Sequence, residues 1–174
     1  MALFRDTADV SVRPAAPEDD AAITRAQLRA WRLSHAQVLG AEVLESLDVA
    51  AVREQWAAAI GAPPTPAHRV LVACDGPRVV GVAATAPTDD GGVEVLSLEV
   101  DPDHQQGGHG SRLLAACVDL ARQDGAGHVV TWVVDGDPAR ERFLAGSGLG
   151  PDGAERGLAA TGGTVTERRW VAEI

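Results

Sequence analysis

The hydrophobic and polar positions divide the chain into alternating strand-like and helix-like stretches. Val10-Ser11-Val12-Arg13 alternates and is stopped by Pro14, which predicts a short first strand. Pro17-Glu18-Asp19-Asp20 places acids in a helical first turn, where the helix dipole favours them, and Ile23, Ala26, Ala30 and Trp31 follow at helical spacing. A second helical stretch, Ala41 to Ile60, carries Leu44, Leu47, Val52, Trp56 and Ile60 as its apolar stripe, and the proline-rich Gly61–Pro66 ends it. Val70–Cys74 and Arg78–Ala86, joined by Asp75-Gly76-Pro77, predict a hairpin. Asp89–Gly92 turns into a further strand, Val93–Val100. Ser111–Gln123 is helical, with Leu113, Leu114, Cys117, Val118 and Leu120 on one side.

His128–Val134 is nearly all apolar, as in a strand buried on both faces. Asp137-Pro138 opens a last helix ending near Gly146–Gly148, and weaker strand signals follow at Glu155–Ala160 and Val165–Val171. The order β-α-α-β-β-β-α-β-α-β-β predicts an α/β fold, one mixed sheet flanked by helices in a single domain over 10–174, with 1–9 as an N-terminal extension.

Composition changes this picture mainly by exclusion. The chain has 174 residues, enough for one ordinary domain, and a net charge of −10, which argues against a nucleic-acid partner held by a basic face. The longest apolar runs, such as Val129–Val134, fall far short of the roughly 20 residues of a membrane span. Met1–Asp9 has no apolar signal-peptide core. Cys74 and Cys117 both sit in apolar segments, so neither a disulfide framework nor a metal site is expected. A soluble cytoplasmic protein is the default expectation. All 15 basic residues are arginine and there is no tyrosine. Without lysine, a Walker A phosphate loop and a pyridoxal Schiff base are both excluded.

The chemistry concentrates between Val93 and Leu114, where a strand runs into a glycine-rich turn and the turn into a helix. Successive backbone N–H groups at such a turn, with the positive end of the helix dipole, make an anion site suited to a phosphate or pyrophosphate. A plain flexible connection is the alternative reading of the glycines alone. The dinucleotide fingerprint fits poorly, because Gly108-His109-Gly110 lacks the third glycine at the required spacing.

Gln105-x-x-Gly108-x-Gly110 after Val100-Asp101-Pro102 resembles the acetyl-CoA pyrophosphate signature, (Arg/Gln)-x-x-Gly-x-(Gly/Ala), of the GCN5-related N-acetyltransferase (GNAT) family. Ala30-Trp31-Arg32 with Gly40–Leu47, and Asp137 through Gly148-Leu149 to Pro151-Asp152-Gly153, resemble two further blocks of that family.

The resemblance implies acetyl transfer from acetyl-CoA, as co-substrate, to a primary amine of a small molecule or peptide. It implies that amides of Gln105, Gln106, Gly107, Gly108, His109, Gly110 and Ser111 cradle the pyrophosphate. It also implies that the backbone at Leu98 and Val100 pairs with the pantetheine arm, and that Asp137 stands at the family's cofactor-side asparagine. Glu94, eleven residues before Gln105, matches the family's general-base glutamate; an exposed strand glutamate is the alternative. Glu99 is second, and strict alternation predicts that it faces away from Glu94. Arg112 either reaches a phosphate or is a solvated helix arginine. His104 and His109 flank the loop, and His35 is an acceptor-side candidate. The family's leaving-group acid is a tyrosine in a Phe-Tyr pair; here the pair is Phe143-Leu144, which leaves water or Ser147 for that task. The same departure supports a second reading, an acyl-CoA-binding module without turnover. Members of the family often pair through their last strands, so the resemblance leaves a homodimer open beside a monomer, with Trp170 either at that interface or in the core.

Overall fold

The computed structural model describes residues 10–160 and 163–174; the expected extension, 1–9, lies outside the described residues. Seven strands form one mixed sheet in the order β1-β2-β3-β4-β5-β7-β6. They are β1 (Val10–Pro14), β2 (Arg69–Asp75), β3 (Arg78–Pro87), β4 (Val93–Val100), β5 (His128–Val134), β6 (Gly150–Ala160) and β7 (Gly163–Glu173). Every neighbouring pair is antiparallel except β4 and β5. These two are joined by a crossover through helix α5 (His109–Gln123), as a parallel pair requires.

The helices cover the sheet unequally. On one face α5 buries Leu113, Leu114, Cys117 and Ala121 against Leu71, Val80, Val95, Leu98 and Val129. Each fully buried leucine there contributes about 1.5–3 kcal/mol. Helix α6 (Pro138–Gly146) joins the same face through Leu144 and Phe143. The opposite face, with Val72, Cys74, Val79 and Val82, takes Ile23 of α1 (Asp20–Ser34) and Trp56 of α4 (Val49–Gly61). Arg53 donates to both carboxylate oxygens of Asp20, at 2.8 and 3.2 Å, and fixes α4 to the start of α1. The buried Trp56 Nε1 donates to Gln27 Oε1 at 2.8 Å.

Cys74 and Cys117 lie in the two opposite layers and are both free thiols. Burial pushes the Cys117 thiol up to about 12. Trp170 is part of the core on the α5 face, so it is not available to a partner.

The single helix expected over Ala41–Ile60 is broken in two, and a further short helix precedes it. A short α2 (Ala36–Leu39) and α3 (Ala41–Glu45) meet at Gly40, whose φ of +82° breaks the helical path. Asp48 then starts α4 afresh, its carboxylate accepting from the amides of Ala50 and Ala51. Leu47 and Val52 are therefore not on one stripe. The apolar spacing carried the helical period across the break at 46–48 and hid it.

Candidate active site

Two local irregularities in β4 create the site. Ala84 of β3 faces Ser97, and the next residue, Thr85, faces Val95, so Leu96 is an extra residue without a partner. This bulge bends and twists the strand. Beyond it β4 leaves β5: the two strands pair only from Val93↔Val129 to Val95↔Thr131. A cavity of about 250 Å³ occupies the resulting splay, reaching through the sheet from Leu114 and Leu144 on the α5 side to Trp31 and His35 on the α1 side.

Backbone groups of Leu98 and Val100 are turned into this gap. The Leu98 carbonyl accepts from Arg140 Nη1 at 2.6 Å and the Val100 carbonyl from Gln105 Nε2 at 3.2 Å, whereas the intervening pairing partners go to β3. Both carbonyls are thus held by movable side chains rather than by a strand.

The turn after β4 is anchored on α1. Arg29 donates to Asp101 at 2.7 Å and to Asp103 at 2.9 Å, while Asp101 also accepts from the Asp103 amide. Gln106 (φ +63°) and Gly108 (φ +83°) both adopt left-handed backbone, the alternation that turns consecutive amides toward one concave point. α5 starts immediately afterwards with Gly108 as its N-cap, and no side chain satisfies its first amides. Arg112 folds back to donate to the Gly107 carbonyl at 3.2 Å, so its charge lies over the same turn. Gly110 faces Phe143 of α6 across an ordinary van der Waals gap, which closes α6 onto the loop end of α5.

The other expected residues separate. Glu94 does not line the main cavity. It lies in a neighbouring hollow with Thr88, Asp90, Trp132 and Arg156, its carboxylate 3.9 Å from Arg156. Arg156 stacks 4.2 Å from the centre of the Trp132 ring and donates to Glu167 at 2.6 Å. Trp132 borders both spaces.

Glu99 lines the cavity and is buried, accepting from Trp31 Nε1 at 3.2 Å and from Arg140 Nη2 through both oxygens at 3.1 Å. Contrary to the alternation argument, it shares its face with Glu94, because Leu96 shifts the register between them. Asp137 borders the cavity, but its Oδ1 caps α6 by accepting the Arg140 amide at 3.0 Å. Ser147 is excluded as a proton donor at the site. It is exposed, and its hydroxyl donates to the Phe143 carbonyl.

His35 lines the cavity, and burial lowers its imidazole below the ordinary range, so it is neutral near pH 7. His104 sits between Asp75 and Asp101, 3.7 Å from each. His109 is buried under the loop; burial lowers its pKa too.

Sequence reasoning missed Arg140, Ser97 and Glu167. Ser97 Oγ is buried, faces the cavity and has no hydrogen-bond partner, the signature of a group that awaits a ligand. An orphan hydroxyl, two strand carbonyls held by side chains and a loop of converging amides all fit an extended thioester cofactor with a phosphorylated end. Among the described residues no group of three or more His, Cys, Asp or Glu is arranged to hold a metal ion, and no helix is long and apolar enough to cross a membrane.

Comparison with known proteins agrees with this geometry. No curated protein matches the chain. Solved structures do. The PaiA N-acetyltransferase of Thermoplasma acidophilum, in complex with coenzyme A, is 16% identical with a TM-score of 0.76, over 91% of this chain and 98% of that one. A protein described as an acetyltransferase, YncA of Salmonella typhimurium, with its cofactor acetyl-CoA, is 23% identical over 94% and 93%, with a TM-score of 0.69. The ribosomal-protein-alanine N-acetyltransferase of Brucella melitensis is 21% identical over 94% and 99%, with a TM-score of 0.70. At these identities the likeness is one of fold. The family model of the acetyltransferase (GNAT) family matches residues 26–148, most of the chain, including β4, the glycine-rich loop, α5, β5 and α6, and the protein belongs to that family.

Proposed function

We propose that the protein transfers the acetyl group of acetyl-CoA directly to a primary amine of a small molecule or peptide. The observation that carries this reading is the splay of β4 from β5, with the carbonyls of Leu98 and Val100 facing it and a glycine-rich helix N-terminus at its end. The amides from Gln105 to Ser111 bind the pyrophosphate, and Arg112 adds charge beside them. Leu98 and Val100 exchange their side-chain partners for the amides of the pantetheine arm, which extends β4 like an added strand. That places the thioester in the gap beside Ser97, whose free hydroxyl donates to the carbonyl oxygen as charge develops there.

Glu94 serves as general base through water. Its carboxylate is on the acceptor face and partly open, whereas both oxygens of Glu99 are already committed to Arg140. Glu99, Asp137 and Glu167 around the cavity, together with a net charge of −10, favour a cationic acceptor.

Calorimetric titration with acetyl-CoA tests the binding step, beside a Gly108→Val variant. Micromolar binding lost in the variant is expected, followed by acetylation within a panel of amines. No transfer to any amine while the cofactor binds would overturn the transferase reading.

One observation favours a second reading, an acyl-CoA-binding module without turnover: Leu144 fills the cavity wall where a hydroxyl acid would act, buried to 1% exposure. A Glu94→Gln variant with undiminished background activity would support that module.

A further inference from the structure

Arg140 occupies a position that local rules disfavour. It is the third residue of α6, counted from the Asp137 cap, so its cation opposes the positive end of the helix dipole. α6 packs on the α5 face of the sheet, yet the guanidinium reaches Glu99 on the α1 face. It therefore passes through the gap between β4 and β5. Nη2 is anchored to both oxygens of Glu99, while Nη1 rests on the Leu98 carbonyl. Among the described residues lining the cavity it is the one full cation, since His35 is neutral near pH 7. One helical turn on, Leu144 lines the same cavity and offers no proton. Neither does the rest of the chain supply a tyrosine.

Resting on the acetyl-transfer reading above, we infer that Arg140 is the group that stabilises the departing thiolate, by charge rather than by giving a proton. When the pantetheine arm takes the Leu98 carbonyl, Nη1 is freed inside the gap while Glu99 keeps the guanidinium in place. The amine nitrogen then uses its lone pair to form the C–N bond to the acetyl carbon. The C–S bond breaks and its electron pair stays on sulfur as the thiolate, which ion-pairs with Nη1. The proton lost by the amine passes through water to Glu94, and the thiolate takes its proton from solvent after release. Arg140 acts through its charge and its N–H donors alone. Glu99 is the positioning residue that holds it.

The test uses coenzyme A itself, so it needs no acceptor. Ultraviolet absorbance of the thiolate is followed against pH for coenzyme A bound to the whole protein, to Arg140→Met and to Arg140→Lys, with desulfo-coenzyme A as a binding control. The same protein without coenzyme A supplies the baseline, which subtracts any signal from the free thiols of Cys74 and Cys117. The expected result is a bound thiol that ionises about one pH unit or more below free coenzyme A, a tenfold shift in its acidity. Arg140→Met should abolish the shift and Arg140→Lys should keep part of it, with the desulfo compound binding all three equally. In turnover, Arg140→Met should lower kcat on the order of 100-fold, the scale of losing one preorganised electrostatic contact.

A bound thiol that titrates like free coenzyme A in the unaltered protein would overturn the inference and leave the transferase reading standing. So would faster turnover in Arg140→Met, which would make Arg140 a strap that merely blocks the Leu98 carbonyl. Absence of any coenzyme A binding would overturn both.

Discussion

Glu94 and Glu99 present their side chains on one face of β4, because the unpaired Leu96 lies between them. Their partners on β3, Ala86 and Val82, are four positions apart and so share a face. The shared face does not make them equivalent. Glu94 is near an arginine at 3.9 Å, and Glu99 is bound by Arg140 through both oxygens. Glu94→Gln should therefore lower kcat by about 100-fold or more and flatten the acidic limb of the pH–rate profile, with acetyl-CoA affinity unchanged. Glu99→Gln should leave that limb in place and lower kcat through loss of the anchor for Arg140. Identical pH profiles in the two variants would refute this division of roles.

Gly108 separates loop strain from loop chemistry. At φ +83° a side chain costs about 1–2 kcal/mol, and a Cβ there would lie 2.8 Å from the end of Arg112. Gly125 has a φ of +81° with nothing within 4 Å, far from the loop in the fold. Gly108→Ala and Gly125→Ala should lose similar stability in urea unfolding. Only Gly108→Ala should weaken acetyl-CoA binding, by roughly tenfold or more, since a Cβ intrudes where the amides converge. Equal affinity in both would mean that the loop amides do not hold the cofactor.

Much of this was legible in the sequence because each feature has a local cause. Gln105 to Gly110 sits between a strand and an amphipathic helix, and its tight turn with left-handed backbone at Gly108 follows from short-range residue chemistry. β5 reads as an inner strand and lies between β4 and β7, with Val129 and Val133 in the core beside α5 and Trp132 and Val134 against the cavity. The Leu96 bulge was not legible. Val93–Val100 alternates imperfectly, and nothing within the strand marks which residue loses its partner, since β3 makes that choice. Arg140 was hidden for a related reason. Its partners, Leu98 and Glu99, lie more than 40 positions away, and an arginine in a first helical turn reads as solvated. Its unfavourable place against the helix dipole was the one available signal.

Trp56 and Gln27 tie α4 to α1 on the sheet face opposite α5. Both are buried, and the indole N–H is the partner found for the Gln27 amide oxygen. Trp56→Phe removes the donor while keeping an aromatic ring, so Gln27 is left buried and unsatisfied. The expected cost is about 1–3 kcal/mol, read as a lower urea midpoint with unchanged slope. Combining it with Gln27→Leu should recover part of the loss, because no polar group is then left without a partner. A double variant as unstable as the sum of the single changes would show that the bond contributes little.

Acidification should weaken the fold in two separate steps. His35 and His109 both ionise below the ordinary imidazole value of 6.5, in each case chiefly because burial penalises the charged ring. In the unfolded chain these rings take up protons as the pH drops through 6.5, while the folded protein still resists. Their contribution to stability is therefore complete above that value and is lost as pH falls toward their folded pKa values. Asp19, beside Arg13, and Asp124, beside Arg69, are held below the usual carboxylate range, so their contribution disappears only in the window below about pH 4. His109 is the cleaner probe, since it packs under the loop with Nδ1 unpaired and does not line the cavity. Melting temperature measured from pH 7 to pH 5 should fall less steeply in His109→Gln than in the unaltered protein, with the two curves parallel below pH 4. An unchanged slope between pH 7 and pH 5 would show that His109 takes up its proton as readily in the fold as outside it.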